Sequence, residues 1–127
     1  MKRYFVILSV LILSSCQLFE SENRVYTLEE LELLYAEIKQ TAESETCNNS
    51  NDWGYVALGS KPCGGPWEYI AYSKKINVDD FLKKVKQYNH LQAEDNKKNN
   101  RFSDCMFVGE PKGVRCENGK PILIYQN

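Results

Sequence analysis

The chain has 127 residues with 16 Lys+Arg against 17 Asp+Glu, a formal charge of −1. Without a dominant basic face there is no basis for a nucleic-acid partner. The length suits one domain with a modest core, small enough that a pair of disulfides would matter to its net stability.

The N-terminus opens with MKR, followed by an apolar run at 4–13 (YFVILSVLIL) interrupted only by Ser9. At ~1.5 Å per residue such a run reaches about half of a ~30 Å hydrocarbon core, which suits a signal-peptide core and not a spanning helix. Leu13-Ser14-Ser15-Cys16 follows directly. This tetrapeptide resembles a bacterial lipobox. The resemblance implies diacylglycerol on the Cys16 sulfur, cleavage before Cys16, and acylation of the new amine, commonly by palmitate. Two or three chains suffice for stable anchoring, where one is marginal. In enterobacterial-type lipoproteins a residue such as Gln17, in place of Asp, implies delivery to the outer membrane. The expected organisation is a signal peptide at 1–15, a lipidated tether at 16–26 and a single domain at 27–127. Loss of Lys2 and Arg3 with the signal peptide takes Lys+Arg from 16 to 14, so the mature charge is −3.

Thr27 and Glu30 have the spacing of a capping box, with Tyr26 placed to staple onto Leu31. Leu28, Leu31, Leu34, Tyr35, Ile38 and Ala42 then form one helical stripe. The segment NNSND is turn chemistry, and 53–58 (WGYVAL) reads as a strand ending at Gly59. Residues 59–66, GSKPCGGP, form a glycine- and proline-rich link to a second strand at 67–72 (WEYIAY). Pro62 and Pro66 each remove a ladder donor, so this hairpin belongs at a sheet edge. Asn77 can cap a second helix with Asp80 at its third position, and Val78, Phe81, Leu82, Val85 and Tyr88 make its apolar stripe. The lysines of this helix read as a solvated face and His90 as a surface residue; NNR at 99–101 ends it. In GVRCENGKPILIY, Asn118-Gly119 suits a type I′ turn between strands at 112–117 and 120–126. The fold class is α+β: a small antiparallel sheet of two hairpins with two amphipathic helices on one face.

Beyond Cys16 there are four cysteines, Cys47, Cys63, Cys105 and Cys116, an even number that reads as two disulfides in an exported domain. Three pairings are open. A zinc site has little support, because there is no C-x-x-C and His90 is the sole histidine. The mature region is also similar to a group of uncharacterised exported bacterial proteins, through GSKPCGGP at 59–66, Tyr69, Tyr72-Ser73, Ser103-Asp104-Cys105 and the hairpin around Cys116. Some members carry two further cysteines, where this chain has Trp53 and Pro121, and those would bridge the first strand to the last. The resemblance thereby implies Cys47–Cys116 and Cys63–Cys105 here. It implies no activity.

GSKPCGGP is poorly suited to catalysis. A phosphate-binding loop opens onto a helix N-terminus with free amides, whereas this one leads into a strand and its prolines delete amides. Ser60 or Cys63 would need a base close by, and a carboxylate pair drawn from Glu68, Asp79, Asp80 and Asp104 has no supporting spacing. No catalytic residue, metal or cofactor is therefore assigned. A stiff, disulfide-anchored loop flanked by aromatics better fits a protein-interaction or ligand-binding module, with Trp53, Lys61, Trp67 and Tyr69 as its candidate surface. The expected protein is an envelope lipoprotein with a partner in the envelope. The alternative is an inhibitor of a secreted proteinase or lysozyme that uses Lys61 as its anchor, although Pro62 is unfavourable directly after such an anchor.

Overall fold

A computed structural model describes residues 26–125. The signal peptide, Cys16 and nearly all of the tether lie outside them. Helix α1 spans Leu28–Ala42, and strands β1 (Trp53–Leu58) and β2 (Glu68–Ser73) form the first hairpin. Helix α2 spans Val78–Lys98, and β3 (Gly113–Glu117) and β4 (Lys120–Ile124) form the second hairpin. The α+β class holds. The two hairpins are separate two-stranded antiparallel ladders that touch each other strand to strand, β1 with β3 and β2 with β4.

Both helices begin where local chemistry directs. Thr27 Oγ1 accepts from the Glu30 amide at 3.2 Å, and Glu30 Oε2 accepts from the Thr27 amide at 2.9 Å, which satisfies two of the helix's orphan donors. Asn77 caps α2 by accepting from the Asp80 amide. Tyr26 reaches across to α2, its hydroxyl accepting from Gln87. In α1, Leu31, Ile38 and Ala42 are buried, whereas Leu28, the first member of the stripe, stands largely in solvent.

The hairpin registers follow from their turns. Trp53 opposes Ser73 and Leu58 opposes Glu68, so the second strand lies one residue later than its aromatic run suggests. Asn118 and Gly119 have φ of 49° and 77°, the left-handed pair that a type I′ turn requires, and Glu117 opposes Lys120 across it. Strand alternation gives the first hairpin two faces. Val56, Leu58, Ile70 and Tyr72 turn towards the helices and join Leu31, Ile38, Phe81, Val85 and Tyr88 in one core. Ile38, Leu58 and Phe81 are almost fully enclosed, each contributing roughly 1.5–3 kcal/mol through area removed from water. Tyr35 packs on Tyr88 with ring centroids 5.6 Å apart, Tyr72 lies 5.1 Å from Phe81, and Lys84 pairs with Glu37 between the helices.

Trp53, Tyr55, Ala57, Tyr69 and Ala71 occupy the opposite face, the side where the second hairpin packs. Tyr55 meets Tyr69 edge-on at 6.2 Å. The layers run helices, first hairpin, second hairpin. Cys47, buried midway along the α1–β1 connection, bridges to Cys116 in β3, with Cα atoms 5.3 Å apart. The second bridge, Cys63–Cys105, joins the glycine-rich link to the segment after α2.

Candidate functional site

The link from β1 to β2 is held by side-chain amides of α2. Asn89 Oδ1 accepts from the Gly59 amide at 2.6 Å while its Nδ2 donates to the Ala57 carbonyl at 3.1 Å. Gln92 Oε1 accepts from the Ser60 amide at 2.6 Å, and Asn96 Nδ2 donates to the Ser60 carbonyl at 2.7 Å. Asn89, Gln92 and Asn96 stand on one helical face at steps of three and four. They satisfy backbone that would otherwise need another strand. Gly59, at φ 84°, must be glycine: an added Cβ would lie 2.8 Å from Trp67 and 2.9 Å from Gln92.

Beyond this, the backbone folds on itself. The Lys61 amide donates to Gly65 O, the Gly64 amide to Lys61 O, and the Trp67 amide to Leu58 O. Gly64 and Gly65 both take positive φ. Lys61 itself turns inward and is only 6% exposed. Its ammonium donates to Met106 O at 2.7 Å and to Asp104 Oδ1 at 3.2 Å, and lies 5.0 Å from the Trp67 ring centre. Asp104 also accepts from the Met106 amide at 3.1 Å. That backbone hydrogen bond, followed by the one from Lys61, holds its carboxyl below the usual range.

The four residues expected to form a binding surface therefore divide. Lys61 is consumed in joining two loops and offers no anchor to a proteinase pocket. Trp53 is 5% exposed, on the strand face turned away from the helices. Trp67 is 43% exposed, and Tyr69 is half-buried beside a cleft. The carboxylates considered for acid–base work are engaged in different places: Glu68 with α1, Asp80 with the α2 cap, Asp104 with Lys61. Glu68 accepts from the Tyr35 hydroxyl at 2.6 Å, and this bond, together with burial, pushes the phenol up to about 12. Among the described residues no group of three His, Cys, Asp or Glu side chains is arranged to hold a metal ion, and His90 is exposed.

Two concavities flank α1. One, of about 520 Å³, lies between the C-terminal end of α1, β2 and β4. Tyr69, Ile70, Ile122 and Leu123 contribute its apolar lining, while Lys39, Glu43 and Lys120 supply charge. The other, of about 490 Å³, lies at the start of α1, bounded by Leu28, Tyr35, Pro62, Trp67 and Phe102. Phe102 and Phe107 are 93% and 92% exposed, with Met106 between them also largely exposed. The sequence reading passed over these residues. The available signal was three large apolar side chains at 102–107 in a stretch without helical or strand periodicity.

No protein-family profile matches the chain, and searches of curated proteins and of solved structures found no match either.

Proposed function

We propose that the protein is a lipid-anchored component of the bacterial envelope, held at the outer membrane through acylated Cys16, whose domain is a protein-interaction or ligand-binding module and not an enzyme. The observation that carries the binding role is the cleft at the C-terminal end of α1. Its volume is in the range of ligand sites. Its lining joins an aromatic and branched apolar surface to charges of both signs, a combination suited to a short polypeptide segment with a hydrophobic anchor and flanking charges. The lipobox at 13–16 and the paired cysteines support the envelope location. An inhibitor of a secreted hydrolase is the weaker reading, since the residue it would use, Lys61, is enclosed.

A photo-cross-linking residue placed at Tyr69, in the protein expressed in its native envelope, tests the binding role. The expected result is a discrete adduct that is absent with the probe at Lys83, on the exposed side of α2, and is reduced by Lys120→Glu. Identical adducts from both positions, or none from Tyr69, would refute the cleft as the binding site.

A further inference from the structure

Phe102 and Phe107 are exposed without being loose. Cys105, between them, is bonded to Cys63, and the Met106 carbonyl and Asp104 carboxylate both accept from buried Lys61. The backbone is thus held so that large apolar side chains point into solvent. Fixed exposure of three large apolar side chains within six residues marks a surface that something covers.

The position of the loop identifies what covers it. Phe102 borders the same groove as Leu28 and Trp67, and Tyr26, Leu28, Lys98 and Arg101 border the adjoining hollow. The chain therefore enters the fold at the end where Phe102 projects. Only residues 17–25 separate Cys16 from Tyr26, a reach of at most about 35 Å. The partner cleft lies at the far end of α1, whose 15 residues span about 22 Å.

We infer that the Phe102–Phe107 loop docks on the bilayer that carries the Cys16 lipid, so that the domain stands with this end in the headgroup region and the cleft facing away. The inference rests on the lipid-anchor reading proposed above. Phe102, Met106, Phe107 and Trp67 supply the apolar and aromatic side chains that settle at the boundary between headgroups and acyl chains. The nearby charges largely cancel: Lys97 pairs with Glu94 at 3.2 Å, Arg101 pairs with Asp95 at 2.5 Å, and Lys98 is offset by Glu32 on the adjoining groove. Docking is therefore apolar, works on zwitterionic lipid and changes little with salt. Such a loop is a weak anchor alone. It acts as a second contact because the lipid on Cys16 keeps it at high local concentration beside the surface.

The test uses the lipidated full chain, purified from bacterial membranes and reconstituted in phosphatidylcholine vesicles with brominated acyl chains. Single tryptophans are introduced as Phe102→Trp, Phe107→Trp and, at the far end of α1, Glu43→Trp, each in a chain whose native Trp53 and Trp67 are replaced by Phe. Bromine quenching of the new tryptophan at positions 102 and 107 is expected to exceed that at position 43 by at least about twofold, as insertion to the acyl boundary requires. Raising the salt concentration should leave the difference intact. Intact-mass measurement of the same sample reads the anchor independently. A chain without diacylglycerol on Cys16 overturns the anchor and the docking together. A lipidated chain whose tryptophans at 102 and 107 are quenched no more than at 43 overturns the docking alone, and leaves the aromatic loop to a protein partner.

Discussion

Removing the two disulfides separately should have unequal consequences. The bridges are nested: Cys47–Cys116 spans 69 residues in sequence and encloses Cys63–Cys105, which spans 42. With the inner bridge closed, the outer one restrains only the remaining 69 − 42 = 27 residues of the unfolded chain. In the chain-entropy account a loop of that length corresponds to about 3.5 kcal/mol, against about 4.4 kcal/mol for the outer loop taken alone. The folded state keeps nearly all of that difference at the outer bridge. Cys47 is buried, its amide donates to Gly119 O at 2.8 Å, and Cys116 lies within a strand. The inner bridge joins two exposed, irregular segments that can loosen in the folded protein once it is cut, so less entropy difference survives. Equilibrium urea unfolding of Cys47→Ala/Cys116→Ala and Cys63→Ala/Cys105→Ala should give a loss of about 3.5 kcal/mol for the first and under half of that for the second. The denaturant slope should rise in both, as the unfolded chain expands. Nesting alone makes the two losses nearly equal, so equal losses, or a larger loss from the inner pair, would refute the relaxation of the folded state at the inner bridge.

Asn89→Ala leaves the Gly59 amide and the Ala57 carbonyl without their partner, and should lower unfolding stability by about 2 kcal/mol, measured by thermal or urea melts; a change within experimental error would mean that the link is held by other contacts. Glu68→Gln removes the carboxylate that raises Tyr35, so ultraviolet titration should show that phenol moving down from about 12 towards its ordinary value, with smaller downward shifts at Tyr88 and Tyr125, which the same charge also raises. Because the folded-state value is raised, the stability from this bond is complete below pH ~10 and is lost as pH rises towards 12 in the wild type. The variant should show a shallower alkaline loss across that window, and an unchanged profile would remove Tyr35 as its source.

Features set by neighbours in sequence were legible. The caps at Thr27 and Asn77 each need only a side chain three residues from the amide it serves, and Asn118-Gly119 needs only its own backbone preference. The pairing Cys47–Cys116 and Cys63–Cys105, implied by a resemblance while the residues alone left three choices open, is the one the fold contains. What escaped the sequence depends on distant partners. Lys61 reads as a surface lysine until Asp104, Met106 and Trp67 are brought around it. Asn89, Gln92 and Asn96 look like an ordinary polar helix face, because their role depends on a strand end some 30 residues earlier. Trp53 looks like a display residue until the fold buries it. Two short strand pairs carry no sequence signal for whether they join edge to edge or stack, and here they form separate ladders.

The nested bridges also bear on how the protein reaches its oxidised form. A chain that emerges N-terminus first presents Cys47, then Cys63, well before either mate is available. The first two thiols to meet are not partners, and a bridge between them would hold the end of α1 against the glycine-rich link. Once such a bridge forms, attack of the Cys105 thiolate on the Cys63 sulfur closes the native inner bridge and releases Cys47 as a thiol, which is then oxidised with Cys116. Any chain oxidised before Cys105 emerges therefore needs shuffling as well as oxidation, and a host that oxidises thiols without isomerising them is expected to accumulate the 47–63 isomer.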